Sequence, residues 1–161
     1  MNPLKNLLLL SVLLLCGKLQ AQTPTVFITL TVDTTLLGND RNAPGGCTFS
    51  VEPADKLVFN DPNNPKLFTI QVDSSDVIEW QGKTTGDVEV KIRRISFIRG
   101  TNIFDSEIVK GTMINGKEKV KANPKRNTLE DKDYEYSIRF KMKGDFFKFY
   151  EIDPKIKVGN T

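Results

Sequence analysis

From residue 25 onward, apolar residues recur at every second position, the period of a strand with one face turned to a core. Val26, Ile28, Leu30 and Val32 share one face of the first such segment, and Thr25, Phe27, Thr29 and Thr31 share the other. Phe68, Ile70 and Val72 alternate with Thr69 and Gln71. Tyr134, Tyr136, Ile138, Phe140 and Met142 alternate with Glu135, Ser137, Arg139 and Lys141, the clearest amphipathic strand in the chain. Residues 155–158 repeat the pattern after the Asp153-Pro154 break. Shorter strands are expected at 48–51, 57–60, 77–81, 108–111, 119–122 and 146–152. One segment changes parity. Val88, Val90 and Ile92 face one way, but the next apolar pair is Ile95 and Phe97. Arg93-Arg94 is therefore read as a β-bulge, or as a corner where the strand passes between sheets.

The connections suit short strands. Residues 39–46 combine Asn, Asp, Pro and Gly, and residues 61–65 hold two prolines that cannot serve a ladder. Ile114-Asn115-Gly116-Lys117 is a hairpin signal, since Asn-Gly accepts the positive φ angles of a type I′ turn. Residues 123–132 form a polar connection. No helix-period segment of useful length follows residue 22. This pattern predicts an all-β fold: a two-sheet antiparallel β-sandwich, with a small β-barrel as the alternative. Trp80, Phe68, Ile70, Tyr136, Ile138 and Phe140 are the expected core, Trp80 as a plug rather than as an exposed platform for sugars.

The N-terminal stretch has a different character. Lys5 precedes an apolar run over residues 7–15, and Leu19-Gln20-Ala21 supplies a small-residue exit. These are the features of a secretory signal peptide over residues 1–21, leaving residues 22–161 as a single domain. The run is shorter than the roughly 20 residues of a permanent span. The expected location is therefore exported, either periplasmic or secreted. A lipid anchor at Cys16 is the alternative, and Leu15 immediately before that cysteine argues against it.

Composition narrows the chemistry. The chain has no histidine, so the usual base of Ser-His-Asp and Cys-His hydrolases and the commonest zinc and copper ligand are missing. Of its two cysteines, Cys16 lies in the expected leader. Cys47 is then alone and is expected to be buried rather than bridged to another chain. Residues 22–86 carry 4 basic and 8 acidic side chains, and residues 87–161 carry 17 and 12. The near-balance makes nucleic acid a poor partner.

Phe68-Thr69-Ile70-Gln71-Val72, a short turn and then Asp76-Val77-Ile78-Glu79-Trp80 resembles the opening of a cupredoxin-like domain. Such domains pair an alternating strand with one bearing an Asp-hydrophobe-hydrophobe-x-Trp pattern, which is shared widely among secreted immunoglobulin-like sandwiches. The resemblance implies a sandwich scaffold. A copper-binding member would place a histidine where Gln81-Gly82-Lys83 stands, and a Cys, His and Met cluster near the last strands, where only Met142 is found. The resemblance therefore carries no copper site with it, and no cofactor is expected.

The remaining candidates are surface features. Lys117, Lys119 and Lys121 share a strand face, with Lys125 and Arg126 just beyond. They could attract anionic polysaccharide or lipid headgroups, or simply protect an edge strand from aggregation. Asp33, Asp40, Asp61, Asp73, Asp76 and Asp87 lie near turns, where Asp is favoured for local hydrogen bonding as well as for calcium. Glu79, Glu89, Glu107 and Glu118 are the carboxylates open to a glycosidase reading. The expected function is a non-catalytic exported binding domain whose partner is an envelope or extracellular protein or a glycan. A small structural subunit that assembles through strand edges, as a weak homo-oligomer, is the alternative, and a carboxylate-based glycan-active enzyme stands third.

Overall fold

The computed structural model describes residues 25–130 and 132–159, and these are all-β. The expected leader, with Cys16, lies outside the described residues. The strands are β1 (Thr25–Val32), β2 (Cys47–Glu52), β3 (Leu57–Phe59), β4 (Thr69–Val72), β5 (Val77–Thr84), β6 (Glu89–Arg99), β7 (Ile108–Lys110), β8 (Thr112–Ile114), β9 (Lys117–Ala122), β10 (Tyr134–Met142), β11 (Tyr150–Ile152) and β12 (Lys155–Val158). Single turns of 3-10 helix at Ala54–Lys56 and Pro65–Leu67 lie on either side of β3.

The alternation in the sequence becomes burial. β1 buries Val26, Ile28, Leu30 and Val32 and leaves its other face half covered. Trp80, Phe68, Ile70, Tyr136, Ile138 and Phe140 are each exposed by 1% or less. Each such side chain removed from water contributes about 1.5–3 kcal/mol, which makes this packed interior the main source of stability.

Hydrogen-bonded neighbours follow the order β2-β1-β5-β6-β10-β12-β4-β3. The main path is thus one continuous sheet. This corrects the expectation of two separate antiparallel sheets and fits the small-barrel alternative better. Two pairings are parallel as well. β1 runs beside β5 with Thr25 opposite Val77 and Val32 opposite Thr84, and β12 runs beside β4 with Ile156 opposite Ile70. β11 and β12 continue a single register along β10 and are one strand interrupted at Asp153-Pro154. The interruption follows from proline's missing N–H. Its carbonyl still accepts from the Tyr136 N–H at 3.1 Å.

The path turns sharply between β5 and β6, which pair only through Gly82 with Val90 and Lys83 with Glu89. Gly82 is needed at this approach, because a Cβ there would lie 2.7 Å from the Val90 carbonyl oxygen. Beyond it the strands part. β9 pairs with β5 from Ile78 to Trp80, β7 pairs with β6 from Arg94 to Ser96, and β8 forms a hairpin with β9. The tip of that hairpin is Asn115-Gly116, with φ of 50° and 75°, as a type I′ turn requires.

The bulge lies at Arg93. Arg94 stands opposite Arg139 and Ile92 opposite Phe140, so Arg93 has no partner on β10. One extra residue resets parity and lets both Ile92 and Ile95 reach the core. A second shift skips Ile98, which is exposed. Val88, expected on the buried face, precedes β6 in a turn and is also exposed. The strand expected over 146–152 shrinks to β11, leaving Phe146 and Phe147 in the connection from β10.

Candidate interaction surface

β2 and β3 are the two ends of the sheet path, although only residues 53–56 separate them in sequence. Side chains close the seam between them. Phe49 on β2 stacks on Phe68 with ring centroids 4.9 Å apart. The Asn60 amide donates to the Phe49 carbonyl at 3.1 Å. Among the described residues no ladder joins β2 to β3.

An ionic clamp holds the connecting turn. Lys56 Nζ lies 2.9 Å from both Asp73 Oδ2 and Asp76 Oδ2. Asp76 is buried and also accepts the Asp73 N–H at 2.9 Å. Desolvation works against the Lys56 charge, but the hydrogen bonds and attraction of Asp73 and Asp76 outweigh it and hold its pKa above the ordinary lysine value.

β3 itself is unusual. Leu57, Val58 and Phe59 are 41%, 48% and 52% exposed, and Leu67 beside them is 40% exposed. A strand in even register would bury alternate residues, but the β3–β4 ladder is irregular between Leu57 and Phe59. The result is an unpaired edge carrying consecutive apolar side chains, the arrangement that templates pairing with another chain. The sequence contained a signal for it: Leu57-Val58-Phe59 has no alternation and lies between proline-containing breaks.

The lysines behave differently from one another. Lys117, Lys119 and Lys121 do project from one face of β9, opposite buried Glu118 and Val120. Lys119 Nζ is 2.6 Å from Glu79 Oε1 in a largely buried pair. Arg126 lies 3.2 Å from Asp105 Oδ1, Lys125 donates its backbone N–H to the Ile103 carbonyl, and its side chain is exposed. β9 is paired by β8 over residues 117–119 and by β5 over residues 120–122, so each half has one ladder neighbour. Of the bulge arginines, Arg93 pairs with Glu118, while Arg94 and Arg139 approach Glu151 at 3.7 and 3.6 Å.

The other candidates have local partners. Trp80 Nε1 donates to Tyr136 Oη at 3.1 Å within the core. Asp33, Asp40 and Asp61 accept hydrogen bonds from residues two or three positions on, as turn aspartates do. Lys83 pairs with Asp87 at 2.8 Å. Glu89 accepts the Glu118 N–H at 2.8 Å. Cys47 is buried, and burial pushes its thiol pKa up to about 12. A cleft of about 540 Å³ lies between the loops after β1 and β3, lined by Leu36, Pro44, Cys47, Pro62, Lys66 and Ile152 among others.

No protein-family model matches the chain, and no curated protein matches it. Among solved structures, the chain is similar to the crystal structure of an inclusion body protein, PixA, from Burkholderia cenocepacia. The TM-score is 0.61 at 10% identity, over 88% of this chain and 99% of that one. At that identity the likeness concerns the fold. The matched structure is an inclusion body protein rather than a cupredoxin-like or immunoglobulin-like domain.

Proposed function

We propose that this chain is a small, non-catalytic structural subunit that assembles with copies of itself through its strand edges. The observation that carries this reading is β3, a terminal strand whose Leu57, Val58 and Phe59 are all exposed. A second copy fits it by adding a strand, with main-chain hydrogen bonds supplying affinity and the apolar side chains supplying packing. The reading is supported at the level of the fold by the likeness to a protein that is itself named for inclusion bodies. The barrel-like path ends at the β2–β3 seam, where no ladder joins the two terminal strands, and a lack of histidine removes the commonest proton-relay side chain. Export rests on residues 1–21 alone. No helix among the described residues is long and apolar enough to cross a membrane.

The test is size-exclusion chromatography over a dilution series, with Val58→Lys beside the parent chain. The parent should elute earlier as concentration rises, and Val58→Lys should stay monomeric at every concentration. A parent that is monomeric throughout removes the proposal. In that event the cleft beside Leu36 and Ile152, of about 540 Å³, favours the second reading, a binding module for a small ligand or peptide.

A further inference from the structure

The connection from β10 to β11 presents a feature that strand-edge assembly does not use. Met142 to Asp145 forms a tight turn in which the Asp145 N–H donates to the Met142 carbonyl at 3.2 Å and Gly144 takes a φ of 96°. Positive φ at that third position is what a type II turn requires. Immediately after it, Phe146 and Phe147 stand 79% and 89% exposed, the most exposed large apolar side chains among the described residues. Neither ring stacks on another aromatic ring among the described residues, whereas Phe149 lies under Arg139 at 4.4 Å and Lys141 at 5.8 Å. Lys148 Nζ sits 5.2 Å over the Tyr150 ring. The segment thus carries two exposed phenyl rings, lysines at 141, 143 and 148, the first and last of them over the Phe149 and Tyr150 rings, and one acid, Asp145.

The strand register puts this hairpin at the same end of the sheet as the β5–β6 turn and the loop after β1, because Met142 lies opposite Val90 and Val90 opposite Gly82. That end also exposes Val88 and Leu36, at 52% and 62%. Exposed rings with lysines close by suit the boundary between headgroups and acyl chains, where rings enter and amines stay with the phosphates, although Asp33, Asp40 and Asp87 also lie at this end. β3 differs on both counts. It has an open backbone edge, and the nearby Lys56 is already committed to Asp73 and Asp76.

We propose that the 143–149 hairpin is a membrane-surface anchor, with Phe146 and Phe147 entering a bilayer rich in anionic lipid and Lys141, Lys143 and Lys148 meeting its phosphates. Each lysine near an anionic surface strengthens binding roughly fivefold, and this gain is screened by salt. The two rings add apolar burial that salt does not screen.

The experiment is co-sedimentation of the full chain with vesicles of phosphatidylglycerol and phosphatidylcholine in equal parts, beside phosphatidylcholine alone. Phe146→Ser/Phe147→Ser should weaken binding to the mixed vesicles by about tenfold or more. Lys143→Ser/Lys148→Ser should weaken binding to the mixed vesicles only. Both variants keep residues 7–15, so any binding through that apolar run is common to all chains compared. Thermal melts of the variants should match the parent, because the altered side chains lie outside the core. A parent chain that stays in the supernatant overturns the proposal. So does a double serine variant that binds as well as the parent, or one that loses self-association while vesicle binding is unchanged.

Discussion

The indole N–H of Trp80 donates to the hydroxyl of Tyr136 at 3.1 Å, joining β5 to β10 through a bond sealed from solvent. The rings meet edge-on, with centroids 5.9 Å apart. A polar pair at this depth fixes how the two strands approach, since either partner alone would be left buried and unsatisfied. Trp80→Phe should therefore cost about 3 kcal/mol, from lost volume and a stranded hydroxyl, and Tyr136→Phe about 1 kcal/mol. Urea denaturation of the two variants measures both, and a Tyr136→Phe chain as stable as the parent would show that the hydrogen bond contributes little.

The same burial predicts an alkaline transition. Desolvation holds the hydroxyls of Tyr134 and Tyr136 well above the ordinary phenol range, partly offset in Tyr136 by the bond from Trp80. The unfolded chain therefore ionises first. Stability is fully present below pH 10, the ordinary tyrosine value, and declines above it. Absorbance titration should show these two tyrosines ionising together with loss of the fold, not before it.

Cys47 should be inert while the protein is folded, because its thiol is buried with a pKa of about 12 and the thiolate is the reactive form. In a Cys16→Ser chain, Ellman's reagent at pH 8 should label Cys47 slowly in buffer and rapidly in denaturant. Rapid labelling in buffer would mean that the start of β2 opens readily.

The clamp at the seam should be a stability element with a defined pH window. Lys56→Met leaves buried Asp76 without its cation and should cost about 2 kcal/mol, moderated because Lys56 is itself partly exposed. The raised Lys56 pKa means that its contribution is whole below pH 10.5, the ordinary lysine value, and is lost as pH rises through the folded value. Thermal melts of parent and variant should converge in that alkaline range.

Gly82 marks the corner of the sheet. Gly82→Ala would press a methyl group against the Val90 carbonyl and side chain, at 2.7 and 2.9 Å, and should cost about 1–3 kcal/mol by forcing β5 and β6 apart. A melt unchanged from the parent would indicate that the corner yields freely.

Much of this was legible locally. The parity change at Arg93 and the Asn115-Gly116 turn are encoded within a few residues, and the structure realises both. What the sequence did not reveal is non-local. Nothing in the pattern of β1 says that it lies parallel to β5, or that β12 lies parallel to β4, since alternation records which face is buried and not which neighbour pairs. Alternation alone therefore does not distinguish one continuous path from two sheets. Phe146 and Phe147 lie outside the expected strand for a related reason. Apolar residues next to a strand resemble part of it, and only the turn at Gly144 lifts them out of the ladder. Lys117, Lys119 and Lys121 share one face of β9, as alternation implies, but the ion pair from Lys119 to Glu79 depends on β9 lying beside β5.

Backbone hydrogen exchange at residues 57–60, followed in dilute and in concentrated protein, tests strand-edge assembly most directly. These amides should exchange quickly when dilute and become protected as concentration rises, with the core amides of β10 unchanged. Exchange at β3 that is indifferent to concentration, in samples that do self-associate, would place the contact elsewhere and contradict assembly through this edge.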